Sequence, residues 1–243
     1  MNLKFLVNKE YTFLHAFNQN QKEEPFKEWG NFTLAKWEKF PHECYLLAGF
    51  PEWPLLSKIP LKTLAVKAEK LIKKWIEEPE PRKLIKETRE YRNWLQKEWD
   101  KKGKKTLKEL EKIIKFPLPR KTISVYITHP KLKNGMAISP EIIVWGHKEE
   151  WQNYSIVYLC HEILHTIFWG DNSKITHAII ELATDQELRI RLNKTGEYFD
   201  YVGHKELLKI EKKLFPFWKK YLMNKKQNLR QFIEIQKANN YTK

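Results

Sequence analysis

Three residues in one five-residue stretch carry the chemistry of this chain: His161, Glu162 and His165. Their neighbours Leu159, Cys160, Ile163, Leu164, Thr166 and Ile167 are all uncharged. Residues 151–168 therefore read as a helix that crosses a core with one polar side. Residues four apart on a helix are turned by about 40° and raised by one turn. Both imidazoles thus face one point and can hold one metal ion at about 2.0–2.1 Å. Glu162 lies about 100° further round, off the pair but able to reach a water on the metal, where a general base belongs. If the two histidines only satisfied hydrogen bonds, Glu162 would stand without a partner in an apolar helix, at a cost of several kcal/mol once buried and charged.

A zinc ion that acts on a substrate needs a third protein ligand and an open fourth position. The turn at residues 169–173, Trp-Gly-Asp-Asn-Ser, and a helix over about 174–193 running back antiparallel supply the candidates. At 1.5 Å per residue, His165 and His161 lie about 6 and 12 Å before the end of the first helix. His177, Glu181 and Asp185 lie about 5, 11 and 17 Å into the second. Glu181 is level with the gap between the two histidines and is the expected third ligand. Asp185, one turn on, is placed to accept the proton of the imidazole nitrogen turned away from the metal and so fix its orientation. His177 is an alternative ligand or a neighbour of the site, with an ordinary surface histidine as the plainest reading.

The run His161-Glu-Ile-Leu-His165 followed on the next helix by Glu181-Leu-Ala-Thr-Asp185 resembles the gluzincin branch of the zincin metallopeptidases. The resemblance covers about residues 120–195 and implies zinc bound by His161, His165 and Glu181, Glu162 as general base, and Asp185 orienting a zinc-binding histidine. It also implies an edge strand before the active-site helix along which an extended peptide or protein substrate lies, a place that residues 136–145 would take. The gap of 15 residues between His165 and Glu181 resembles the compact members. The rival metzincin pattern would use Asp171 as ligand but needs Gly at 168, where this chain has Phe. For the developing oxyanion, His204, Tyr198 and Tyr201 are candidates by type and location.

The elements that must position these residues follow from periodicity. Residues 3–7 alternate as a short strand and 9–18 fit a helix. Residues 61–76 keep the 3.6-residue period and stop before Pro79 and Pro81. Helices are expected over about 82–102 and 105–115, then strands at 122–128 and 136–145. Pro140 cannot donate to a ladder, so the second strand belongs at an edge or breaks there. Two helices separated near Pro216 or Asn224 close the chain. The expected fold class is α+β, mostly helical, with a helical region over 1–120 and a zincin-like core over 121–243 that carries a small sheet before the HExxH helix.

With 243 residues, 42% hydrophobic and 31% charged, the chain is long enough to bury a core without disulfide staples. Cys44 and Cys160 read as two buried thiols in a reducing compartment. No apolar run approaches the roughly 20 residues of a membrane span, and the first residues lack a basic leader and a small-residue cleavage site. Cytoplasm is the expected compartment. The net charge of +15 comes mainly from 38 Lys against 7 Arg. Such a field attracts acidic partners, but lysine lacks arginine's bidentate contacts, so nucleic acid is an admissible partner that is not favoured. A lysine-biased genome or a heat-adapted surface explains the same excess. The leading expectation is a zinc metallopeptidase. The alternatives are a lysine-rich nucleic-acid-binding protein with a structural or regulatory metal site, and an inactive zincin-fold interaction module.

Overall fold

Alternation builds the small sheet. Leu3 and Phe5 of β1 (Asn2–Leu6) point into the core, and Ile123, Val125 and Ile127 of β2 (Thr122–Ile127) do the same. The computed structural model describes residues 1–18, 28–52, 56, 58–201 and 203–241. Within it, β1 pairs in parallel with β2 in the register Leu3–Ile123 and Phe5–Val125. β2 pairs in parallel with β4 (Ile142–Gly146), and β4 pairs antiparallel with β3 (Asn134–Ser139). The sheet order is β1-β2-β4-β3, which leaves β3 on an edge. The fold is α+β and mostly helical, as expected.

The single strand expected over 136–145 is two strands. Its period breaks at Pro140, where the chain turns back, and a bulge between Ala137 and Ser139 absorbs the mismatch.

The helices before β2 are α1 (Lys9–Asn18), α2 (Trp29–Lys39), α3 (Pro41–Leu47), α4 (Leu61–Trp75) and α5 (Pro79–Ile114). Pro79 opens α5, where a missing N–H costs nothing. The two helices expected over 82–102 and 105–115 are one helix of 36 residues. Gly103, which costs about 1 kcal/mol in a free helix, is retained because a Cβ there would stand 2.6 Å from the Trp99 ring. The indole fills the space, and the helix runs on.

After the sheet come α6 (Tyr154–Ile167) and α7 (Lys174–Glu181), the latter continuing through a π-helical turn, Leu182–Leu188, and a last α turn, Arg189–Asn193. α8 (Leu208–Met223) and α9 (Leu229–Tyr241) follow, with Pro216 inside α8 and the break between them at Asn224. The larger core gathers β1, β2, β4, α6, α7, α8, α9 and the second half of α5, so it takes residues from both sides of position 120. A smaller, aromatic core joins Phe13, Phe17, Trp29, Phe32 and Trp75 with Leu84 of α5. Cys44 and Cys160 are both buried and free. Among the described residues no helix is long and apolar enough to cross a membrane.

Candidate metal centre

α6 starts after Asn153, held in the left-handed conformation, and Glu149 caps it by accepting the Ser155 N–H at 2.9 Å. It ends at Ile167, where Gly170 takes a positive φ and reverses the chain. Ser173 then caps α7 by accepting the Thr176 N–H at 3.2 Å. This short turn brings α7 back along α6.

The result is a row of side chains between the two helices. His161 Nε2 and His165 Nε2 lie 3.0 Å apart, turned toward one point. Two nitrogens on one tetrahedral zinc would stand about 3.3 Å apart, so the pair needs only a slight opening to take the ion. Asp185 Oδ1 lies 3.0 Å from His161 Nδ1, and Thr184 donates to that same Oδ1 at 2.9 Å. Burial alone would lower the proton affinity of His161, but the Asp185 charge and hydrogen bond raise it on balance. His165 has no such partner: burial and the neighbouring imidazoles push it down to about 2. Burial, with the charges of His161 and His204, pushes His177 down to about 4. Both rings are thus neutral and able to donate a lone pair to a metal at physiological pH.

His177, read from the sequence as an alternative ligand, a neighbour of the site or, most plainly, a surface histidine, lies in the site, and among the described residues it, and not Glu181, groups with the histidine pair. Its ligand atom stands within 4.8 Å of those of His161 and His165, and it also belongs to a second such group with Glu181 and His204. Glu181 is fully buried, with Oε1 3.7 Å from His177 Nε2 and 4.0 Å from His204 Nε2. The buried atoms His177 Nε2 and Glu181 Oε1 have no hydrogen-bond partner. Burial and the nearby carboxylates of Asp185 and Glu211 raise the proton affinity of Glu181, and Glu211, also fully buried, is raised too, by burial first. Unpartnered imidazole and carboxylate atoms in a cluster of three buried acids, Glu181, Asp185 and Glu211, fit a divalent cation, whose charge would offset theirs.

Glu162 is 7% exposed, and its Oε2 accepts the Ala137 N–H of β3 at 2.7 Å. Burial raises its proton affinity. It shares the wall of a cleft of about 360 Å³ with His161, His165, His177, His204 and residues 135–137 of β3.

Of the three oxyanion candidates, only His204 lines this cleft. Tyr198 donates to Glu187, accepts from Trp218 Nε1 at 3.1 Å and packs on Phe215, which makes it a packing residue. Tyr201 lies 5.7 Å from the Trp151 ring, with the Arg189 guanidinium over its own ring. Asp171 reaches the cleft wall but is committed elsewhere, accepting from Thr176 at 2.7 Å, Ser173 at 3.2 Å and Lys237 at 2.5 Å.

Sequence reasoning did not find the residues that hold the His204 loop. Buried Arg189 donates to Asp185 O at 2.8 Å and Glu197 O at 2.6 Å. Gln186 donates to Tyr201 O at 3.0 Å and accepts the Phe199 N–H at 2.8 Å. Both come from the π-helical segment and its continuation. Gly203 lets the loop pass close to two carboxylates: a Cβ there would stand 2.8 Å from Asp185 Oδ2 and 3.3 Å from Glu181 Oε2. The only signal for Arg189 in the sequence was a charge within the helix expected over 174–193.

Comparison with known proteins adds nothing to this geometry. No protein-family model, no curated protein and no solved structure matches the chain. The reading of the site rests on its own atoms.

Proposed function

We propose that this chain is a zinc-dependent metallopeptidase with a zincin-like core, in which His161, His165 and Glu181 hold the ion and Glu162 is the general base. The observation that carries this reading is the convergence of the two Nε2 atoms, 3.0 Å apart, with Glu162 on the same cleft wall. A zinc ion held there would supply a bound water of pKa about 7 and a Lewis acid for the scissile carbonyl.

The chain supplies the rest. Asp185 accepts from His161 Nδ1 and leaves Nε2 as the donor atom. The Ala137 N–H pins Glu162 Oε2, so Oε1 is the oxygen left to take the water's proton and pass it to the departing amine. Its burial, by raising proton affinity, suits both halves of that transfer. His204 stands on the cleft wall with its side chain 47% exposed, placed to donate to the developing oxyanion. The outer edge of β3 ends the sheet and offers an extended peptide a strand to pair with.

Chelator-sensitive cleavage of a casein or peptide-library substrate tests this. Glu162→Gln is expected to reduce it by about 10²–10⁴-fold while the zinc content stays. Cleavage unchanged in Glu162→Gln would remove the reading.

A second reading draws on His177, one of whose ring nitrogens lies within 4.8 Å of the ligand atoms of His161 and His165. Should His177 and Glu181 both ligate, four protein ligands close the site, and the metal is structural. Chelation would then lower thermal stability in a protein that cleaves nothing.

A further inference from the structure

We propose that the outer face of α5, over residues 94–112, binds single-stranded nucleic acid through its phosphate backbone, independently of sequence. The helix buries Leu95, Trp99, Gly103, Thr106 and Leu110 on one side. On the opposite side, by the 3.6-residue period, stand positions 97, 101, 104, 105, 108 and 112. All six are lysine, and all six are exposed.

The lysines also stand close to one another along the helix. Lysines 97 and 101, 101 and 105, 104 and 108, and 108 and 112 are four apart, a spacing at which like charges repel. Among the described residues only Lys112 of the six has an ion pair, with Glu109. At the other end of α5, Arg82 and Lys83 are paired with Glu77 and Glu28. A solvated helix surface normally mixes both signs. Glu98, Asp100, Glu109 and Glu111 stand three or four residues from Lys101, Lys104, Lys105 and Lys108 and offset part of this repulsion, so what remains is an excess of positive charge along one face. None of these lysines lines the cleft of the metal centre, so the surface is separate from it.

Charge and shape choose the partner. Six cations in a row over about 22 Å of helix face a linear polyanion. Lysine makes point contacts to phosphate and lacks the planar fork that reads base edges, so no sequence preference follows. Trp94, one turn before Lys97 on the same face, is 38% exposed and backed by Tyr91, its ring centroid 5.4 Å away at 24°. A partly exposed indole on the lysine face can stack an unpaired base, which favours a single strand over a duplex. A bilayer surface fits less well: the apolar side of α5 is already buried and cannot insert.

The test is fluorescence anisotropy of the full chain with labelled oligothymidylate over a series of salt concentrations. The variant with Lys97, Lys101, Lys104, Lys105 and Lys108 all changed to Gln removes like-charge pairs, so its melting temperature is expected to hold or rise. Its slope of log K against log salt is expected to be shallower by about three to four units. The corresponding Lys→Arg variant is expected to keep the wild-type slope. Trp94→Ala is expected to weaken binding about tenfold with the slope unchanged. Failure of the wild type to bind oligothymidylate at low salt overturns the proposal. So does an unchanged slope in the Gln variant, or a loss confined to phosphatidylserine vesicles.

Discussion

His161 Nδ1 lies 3.0 Å from Asp185 Oδ1 in an interior where both residues are almost wholly buried. The bond fixes the ring so that its other nitrogen meets His165 Nε2. Removing the carboxylate frees the ring to turn and lowers its basicity. Asp185→Ala is therefore expected to weaken zinc binding by about 10–100-fold, measured by competition with a chromogenic chelator. Wild-type affinity in this variant would show that the contact does not orient the ligand.

Gly203 lies where the His204 loop passes the buried acids Asp185 and Glu181. A methyl group 2.8 Å from Asp185 Oδ2 forces either the loop or the carboxylate to move. Gly203→Ala is expected to destabilise the fold by about 1–3 kcal/mol in denaturant titration. An unchanged midpoint would mean that the loop has slack there.

The HExxH pair, the reversal at 169–173 and the facing of Asp185 toward His161 were legible in the sequence because each follows from helix geometry over a short span. The position of His177 was not. Whether it faces solvent or the pair His161 and His165 depends on the rotation of α7 against α6, and that is set by packing contacts among residues such as Ile179, Leu182 and Ile163. The π-helical turn and the ties from Gln186 and Arg189 depend on a loop a dozen residues further on. The gap between the helices expected over 82–102 and 105–115 falls at Gly103, which lies within an unbroken helix with the Trp99 ring, one turn away, against it. Pro140 signalled a local break, and the reversal into a hairpin came from β4 pairing in parallel with β2.

Asp171 anchors the turn between α6 and α7. Burial would raise its carboxyl, but the hydrogen bonds from Lys237, Thr176 and Ser173 outweigh that and hold it down to about 2. A folded-state value below the unfolded one gives stability that is complete above about pH 4 and lost as pH falls through about 2. Allowing for solvent screening, Asp171→Asn is expected to cost about 1 kcal/mol at pH 7. The deficit should shrink toward zero between about pH 4 and 2 in urea titrations. A deficit independent of pH would assign the effect to packing.

The central claim is tested most directly by elemental analysis of the purified chain after dialysis against zinc and removal of the excess. The account predicts one equivalent of zinc in the wild type and in Glu162→Gln, and loss in His165→Ala and Glu181→Gln, with circular dichroism showing each variant folded. Zinc retained in Glu181→Gln and lost in His177→Ala would move the third ligand to His177. A folded wild type that takes up no zinc would contradict the account.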